Sequence, residues 1–196
     1  SHGAVPTLIA KFPSPDEGAR TIGNMYGLYE REVHFYNQLA QEIGVPTARC
    51  YFAEWDAATG QSLVLLEDLS ASGAVGDQVA GCSLELAQQA ITNLARLHAH
   101  WCDAGKLAAI PWLTDGVELV RGAMTSAYEP SQDLFLELFG ARLHPDVRAI
   151  VPGLNERVMR MLDDLVVEER MTLAHGDYRL DNLFFGGRNA PYELAV

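Results

Sequence analysis

The chain has 196 residues, of which 48% are hydrophobic and 20% are charged. This composition is that of an ordinary globular protein with enough chain for a sizeable core. A formal net charge of −12 argues against nucleic acid or an anionic membrane surface as the main partner. Three scattered cysteines without metal-ligand spacing favour a reducing, cytoplasmic compartment over a disulfide framework, and there is no apolar run long enough to span a membrane.

The first predicted element is a short apolar strand at 6–12 that carries a single lysine, Lys11. A lysine within a strand is most often an edge or solvent-facing residue. A loop punctuated by proline and glycine is predicted to follow it and to continue through Asn24.

A helix is predicted over 26–43, because apolar residues recur there at alternating spacings of four and three. Gly44 and Pro46 end it. Glu32 lies at the edge of the apolar face, and a carboxylate that leans into a core requires a cation. Lys11 on the preceding strand is the natural partner, and the alternative is an exposed glutamate on the flank of the helix.

Two strands are predicted next, at 47–55 and 61–66, joined by a turn that ends in Gly60. The second strand is apolar on both faces, which is typical of a central strand. A polar strand exit and a stretch rich in Gly, Ser and Ala follow it. This change in composition predicts a domain boundary between 1–69 and 70–196.

Ser83 is predicted to cap a long helix with an apolar face. The predicted buried residues of that face are Leu84, Ala87, Ile91, Leu94, His98 and Trp101. Because His98 and His100 point in different directions, we predict a hydrogen-bonded core histidine and no zinc pair. Helices interrupted by Pro and Gly are predicted over 111–170, the last of them at 155–167, and none of them identifies a site.

The densest group of polar residues lies in a loop near the end of the sequence. Strands are predicted on either side of it, at 171–174 and 183–185. The loop contains His175, Asp177, Arg179, Asp181 and Asn182. Charges so close to core-forming segments are costly unless they are paired or used in function.

The spacing within this loop indicates phosphoryl transfer. Asp177 and Asn182 stand five positions apart, the Asp-x-x-x-x-Asn spacing of a phosphoryl-transfer loop. In such loops the Asp accepts the proton of the attacking hydroxyl, and the Asn helps to hold magnesium. The alternative is a structural turn, in which Asp177 caps the loop and His175 bonds to the backbone.

The run Leu173-Ala-His-Gly-Asp-Tyr-Arg-Leu-Asp-Asn182 resembles the catalytic loop of the aminoglycoside phosphotransferase and choline kinase families. These form the small-molecule branch of the protein-kinase-like fold. The residues that follow Asp177 are most similar to the ecdysteroid-kinase-like and choline-kinase-like branch. The resemblance implies an α+β, two-lobe fold, with a partial N-lobe sheet and a mainly helical C-lobe. It implies ATP-dependent phosphorylation of a hydroxyl group on a small molecule, with ATP and Mg²⁺ as cofactors.

The resemblance also implies roles for the residues of the loop. Asp177 would orient and deprotonate the acceptor hydroxyl, and Asn182 would bind magnesium. His175 would fix the loop, and Arg179 would either brace it or contact substrate.

Residues of the first half of the chain would then bind the nucleotide. Lys11, held by Glu32, would bind the phosphates of ATP, as the strand lysine of a kinase does. Backbone groups of Glu67 and Leu69, at the predicted boundary between the lobes, would contact the adenine edge.

A complete member of these families carries more chain than this sequence. It has two strands and a phosphate-covering loop before the lysine strand, and a magnesium-binding Asp after the strand that we predict at 192–196. We therefore expect a chain shortened at both ends. A second hypothesis is a non-catalytic nucleotide-binding or interaction module that keeps the fold. The chain retains both the Lys11–Glu32 pair and the Asp177–Asn182 pair, which argues against this second hypothesis.

Overall fold

The structure, a computed structural model, describes residues 7–113, 115–165 and 171–196. The fold class is α+β, as predicted. The strands are β1 (Leu8–Lys11), β2 (Cys50–Asp56), β3 (Gln61–Glu67), β4 (Gly73–Val75), β5 (Phe184–Gly186) and β6 (Leu194–Ala195). The α-helices are α1 (Glu17–Met25), α2 (Leu28–His34), α3 (Leu84–His100), α4 (Ala104–Ala108), α5 (Gly116–Ala123), α6 (Glu129–Phe139), α7 (Pro145–Ile150) and α8 (Leu154–Leu165).

The chain divides into two compact units. The first combines residues 1–102 with 172–196 and contains both β-sheets, and the second, 103–171, is helical in its described part. The predicted boundary after residue 69 falls inside the first unit, and the division into an N-lobe and a C-lobe stays a prediction. No helix among the described residues is both long and apolar enough to cross a membrane.

The first sheet is antiparallel with strand order β1-β3-β2. The strand β3 is central, as its apolar sequence predicts. Val64 and Leu66 on β3 are 1% and 7% exposed, and they pack with Val33 of α2 in one core cluster. This packing sets the rotation of α2 relative to the sheet.

The segment between β1 and α2 differs from the prediction of a loop, because it contains the helix α1. The Asp16 carboxylate accepts a hydrogen bond from the Ala19 N–H (2.8 Å) and caps this helix. The prolines precede the cap, where they do not interrupt helical hydrogen bonds. The helix predicted over 26–43 is also shorter: Gly27, with φ of 61°, separates α1 from α2. A π-helical turn (Phe35–Leu39) ends it.

The helix α3 begins as predicted, with the Ser83 hydroxyl accepting from the Leu86 N–H at 3.3 Å. Its predicted buried face is confirmed at Trp101 but is wrong at Leu84 and Ile91. The residues that are buried are Ala90, Asn93, Leu97 and Trp101, whereas Leu84 is 71% exposed and Ile91 is 66% exposed. His98 is only half-buried and is not a core residue. The observed face keeps a helical period but is rotated, because Asn93 can be buried with its Oδ1 accepting from the Tyr178 hydroxyl (3.3 Å).

The second sheet is antiparallel with strand order β4-β5-β6. Leu183 and Leu194 are each 2% exposed and form a core cluster with Ala90 of α3. The strand predicted at 171–174 is not present. That segment is tied to α3 by a hydrogen bond from the Thr172 hydroxyl to the His98 carbonyl (2.8 Å), and no sheet neighbour pairs with it in the described chain.

Side-chain contacts join the helices within the second unit. Its α5 and α8 are joined by Arg121, which forms ion pairs with Glu118 and Asp163. The Tyr128 hydroxyl donates to the Val151 carbonyl at 3.2 Å. The helix predicted at 155–167 corresponds to α8, and the last part of that prediction lies outside the described residues.

Candidate active site

The strand lysine and the helix glutamate meet in the structure. Lys11 is the last residue of β1, and Glu32 lies within α2. The Lys11 Nζ donates to the Glu32 Oε1 and forms an ion pair with it. The side chains are 48% and 28% exposed. The neighbouring Val33 packs beneath β3, and this packing holds Glu32 at the edge of the sheet where Lys11 ends the strand.

The surroundings of Glu32 are partly apolar. Tyr36 follows it by one helical turn and packs against the cluster formed by Val33 and β3. Burial raises the pKa of the Tyr36 phenol, and the charges of Glu32 and Cys50 raise it further. The phenol is therefore neutral at physiological pH. The positive charge beside Glu32 comes from Lys11.

The loop at 175–182 brings Asp177, Arg179 and Asn182 together. The Asn182 Nδ2 donates to the Asp177 Oδ2 at 2.7 Å and to the Asp177 carbonyl at 2.8 Å. The Arg179 Nε donates to the same Oδ2 at 3.3 Å. The Asp177 side chain remains 63% exposed. A carboxylate is thus held by two donors while solvent, or a hydroxyl compound, can still reach it.

His175 contacts the backbone at the start of the loop. Its Nδ1 accepts a hydrogen bond from the Asp177 backbone N–H at 3.3 Å. Burial lowers the pKa of His175, and the nearby charge of Asp177 opposes this shift only in part. Its ring stands edge-on to Tyr178, with centroids 5.5 Å apart. The Tyr178 hydroxyl donates to the Ala90 carbonyl at 2.7 Å, so the loop is anchored to α3.

Burial raises the pKa of Tyr178 to about 12. The phenol therefore keeps its proton at physiological pH and remains the donor in its bond to α3. Tyr178 was not among the predicted site residues. An aromatic residue next to Asp177 gives no indication, in the sequence alone, of the helix that it contacts.

Arg179 lies between two carboxylates. Its Nη1 is 3.3 Å from the Asp181 Oδ2, and its Nε is 3.3 Å from the Asp177 Oδ2. The second oxygen of Asp181, Oδ1, accepts from the Gln78 backbone N–H at 3.0 Å. The sequence assigns no role to Asp181 or Gln78, because Gln78 lies in the stretch rich in Gly, Ser and Ala, 103 positions from Asp181.

The predicted adenine-contacting residues have part of their backbone engaged within the fold. The Glu67 N–H donates to the Arg49 carbonyl at 2.8 Å, and the Glu67 carboxylate accepts from the Arg49 N–H at 3.3 Å. The Leu69 carbonyl accepts from the Ser72 N–H at 2.9 Å. An adenine contact at Glu67 or Leu69 stays a prediction and would use their other backbone groups.

The loop offers oxygen ligands of the type that magnesium prefers. Because the Asn182 amide nitrogen points at Asp177, the Oδ1 atom is the part of Asn182 that can bind a cation. The carboxylates of Asp177 and Asp181 lie on the same loop. Within the described parts of the chain, no group of three or more His, Cys, Asp or Glu side chains is arranged to hold a metal. The donors therefore fit magnesium as a partial set and do not form a complete cage.

Comparison with known proteins places the chain in a family. Searches of curated proteins and of solved structures found no match. The sequence profile of the ecdysteroid kinase-like family matches residues 4–193. This range contains all of the predicted site residues, and the match confirms the resemblance first seen in the loop around Asp177. The chain therefore belongs to the ecdysteroid kinase-like family.

Proposed function

We propose that the protein is an ATP-dependent phosphotransferase that acts on a hydroxyl group of a small molecule. Membership in a kinase-like family supports phosphoryl transfer in general. The observation that carries the proposal is the Asp177 carboxylate, which is fixed by Asn182 and Arg179 and yet is 63% exposed. A positioned but accessible carboxylate is what the deprotonation of an incoming hydroxyl requires.

In the proposed reaction the acceptor oxygen attacks the γ-phosphorus of ATP, and the bond from that phosphorus to the bridging oxygen of ADP breaks. Asp177 orients the hydroxyl and accepts its proton. Lys11, held by Glu32, binds the phosphates. When bound, Mg²⁺ supplies positive charge to the β- and γ-phosphate oxygens, and Asn182 Oδ1 would be one of its ligands. Positioning and charge stabilisation contribute most of the rate in such reactions.

The net charge of the chain and its family narrow the chemical class of the acceptor. A net charge of −12 favours a neutral or cationic compound over an anionic one. The family name suggests an ecdysteroid, a neutral compound with several hydroxyl groups. Three free cysteines are in keeping with a reducing compartment, and we propose a cytoplasmic location. A library of hydroxyl compounds that includes an ecdysteroid should be screened for stimulated release of ADP from Mg·ATP.

The role of Asp177 is tested by Asp177→Asn. We expect this variant to bind Mg·ATP nearly as well as the wild type, because Lys11 would bind the phosphates and Asn182 the magnesium, and both residues remain in Asp177→Asn. Its turnover should fall by about 10²–10⁴-fold, the usual loss when a positioned base is removed. Calorimetry measures the binding, and a coupled ADP assay measures the turnover.

Asp133→Asn is the matched control, since Asp133 is an exposed aspartate on α6, and we expect it to have wild-type turnover. A wild-type rate in Asp177→Asn would show that another group accepts the proton. If the wild type binds Mg·ATP but releases no ADP with any acceptor, the non-catalytic nucleotide-binding module is the better description.

A further inference from the structure

A reciprocal contact joins the catalytic loop to a segment far away in the sequence. The Gln78 backbone N–H donates to the Asp181 Oδ1 at 3.0 Å. In the opposite direction, the Gln78 side-chain Oε1 accepts from the Leu180 backbone N–H at 3.1 Å. The partners are 103 and 102 positions apart in the chain. We call these two hydrogen bonds the Gln78 latch.

The segment that carries Gln78 is itself well fixed. The Asp77 Oδ1 accepts from the two backbone N–H groups of Val79 and Ala80, at 2.8 and 2.9 Å. On the other side, the Gly76 N–H donates to the Leu183 carbonyl at 3.0 Å. A Cβ atom added to Gly76 would lie 2.7 Å from the Leu180 carbonyl oxygen, so the two backbones approach closely. Gln78 is therefore presented to the loop from a defined backbone.

Polar contacts continue from the latch to the proposed base. Asp181 uses one oxygen for the Gln78 N–H and the other for Arg179, at 3.3 Å. Arg179 in turn donates to the Asp177 Oδ2 at 3.3 Å. The Leu180 N–H, which donates to the Gln78 Oε1, lies at the start of the 3₁₀ turn Leu180–Asn182. That turn places the Asn182 amide against Asp177.

We propose that Gln78 is a positioning residue for phosphoryl transfer, which holds the turn from which Arg179 and Asn182 reach Asp177. The inference rests on the phosphotransferase function proposed above. Gln78 and Asp181 are exposed, and contacts between exposed groups contribute little to global stability. Their loss would leave the fold intact but would let the loop sample more arrangements. Misplacement of a catalytic group lowers the rate of the chemical step more than it weakens binding of the nucleotide.

Two substitutions of Gln78 distinguish the loss of its side-chain hydrogen bond from a general structural effect. Gln78→Met has a side chain of similar length but no acceptor for the Leu180 N–H. Gln78→Glu keeps an acceptor oxygen on a side chain of the same length. Gln61→Met is the matched control, because Gln61 is an exposed glutamine at the start of β3.

Hydrogen exchange and steady-state kinetics are measured on the full chain for all of these proteins. In Gln78→Met, we expect faster exchange in the peptide that covers 178–183, and a kcat for ADP release from Mg·ATP about 10-fold lower. The kinetics use water as the acceptor, and also any compound found in the screen. The KM for Mg·ATP should stay within about 2-fold and Tm within about 4 °C of the wild type. Gln78→Glu should recover most of the lost kcat, and Gln61→Met should match the wild type.

The outcomes distinguish the latch from the proposed function. Unchanged exchange in Gln78→Met shows that the Gln78 side chain does not hold the loop, and overturns the positioning role. Faster exchange with an unchanged kcat, or an equal loss in Gln78→Met and Gln78→Glu, overturns the positioning role. A wild type that releases no ADP with water or any acceptor overturns the proposed function, and the positioning role with it, whereas the exchange data still report on the latch.

Discussion

The Lys11–Glu32 ion pair allows a test in which stability and nucleotide binding should respond differently. With side chains 48% and 28% exposed, the pair should contribute only about 0–1 kcal/mol to the free energy of unfolding. For a chain of 196 residues this corresponds to a Tm shift below about 4 °C. Removal of either partner should therefore leave a folded protein.

The effect on ATP should be larger. An ammonium about 4 Å from one phosphate charge gains about 1 kcal/mol in bulk water and about 4 kcal/mol at an effective dielectric constant of 20. Because Lys11 is about half exposed, the lower part of this range applies. We expect Lys11→Ala to weaken Mg·ATP binding by about 1–2 kcal/mol, or about 5–30-fold. Glu32→Ala should cause part of that loss, since its role is to hold Lys11.

Calorimetric titration of Mg·ATP into the wild type, the two single variants and the double variant measures the coupling. Because the residues act as a unit, the double variant should bind little worse than Lys11→Ala alone. Lys106→Ala removes the same charge from the second unit and is the control. Fully additive losses would mean that Glu32 does not act through Lys11, and a loss confined to Tm would mean that the pair is only structural.

Two further predictions concern the parts of the fold that support the site. Because burial lowers the pKa of His175 below its ordinary value of 6.5, the unfolded chain binds more protons just below that pH. The stabilising contribution of His175 is therefore complete above pH 6.5 and is lost as the pH falls through the folded-state pKa. Urea unfolding between about pH 5 and 8 should show less acid destabilisation in His175→Gln than in the wild type, and equal pH dependence would contradict this. Trp101 is 1% exposed, and its Nε1 donates to the Ile43 carbonyl at 3.1 Å, so Trp101→Phe should cost about 1–3 kcal/mol in unfolding free energy. Trp55→Phe, at a half-buried position in β2, should cost less, and an equal cost at the two sites would count against the importance of that hydrogen bond.

The elements that could be predicted from the sequence are those that local chemistry determines. The apolar pattern of β3 specified a central strand, and Ser83 specified the start of α3. The contact between Lys11 and Glu32 could be predicted because a carboxylate at the edge of an apolar helix face requires a cation, and a single lysine lies on the preceding strand. The roles of the site residues in catalysis stay predictions.

What could not be predicted depends on contacts between distant segments. The buried face of α3 includes Asn93, which is acceptable there because its side chain hydrogen-bonds to Tyr178 and to the Leu194 carbonyl, 85 and 101 positions away. The sequence alone does not indicate these partners, and its apolar pattern predicts Leu84 and Ile91 as core residues instead. The segment 171–174 has a strand-like composition, but a strand also requires a neighbour. The Gln78 latch could not be predicted for the same reason.

The two residue pairs of the candidate site, Lys11–Glu32 and Asp177–Asn182, are held in place in different ways. Mutations elsewhere in the fold should therefore affect them differently. Lys11 and Glu32 meet only because α2 packs on β3 through Val33, so their geometry depends on the core of the first sheet. Asp177 and Asn182 lie within one loop and are fixed by short-range hydrogen bonds, with Gln78 as the distant support. Substitutions in the core beneath α2 should therefore act first on nucleotide binding, and substitutions around the latch should act first on turnover. Under the proposed function, binding and chemistry are separable by mutation because different parts of the fold position the residues for each.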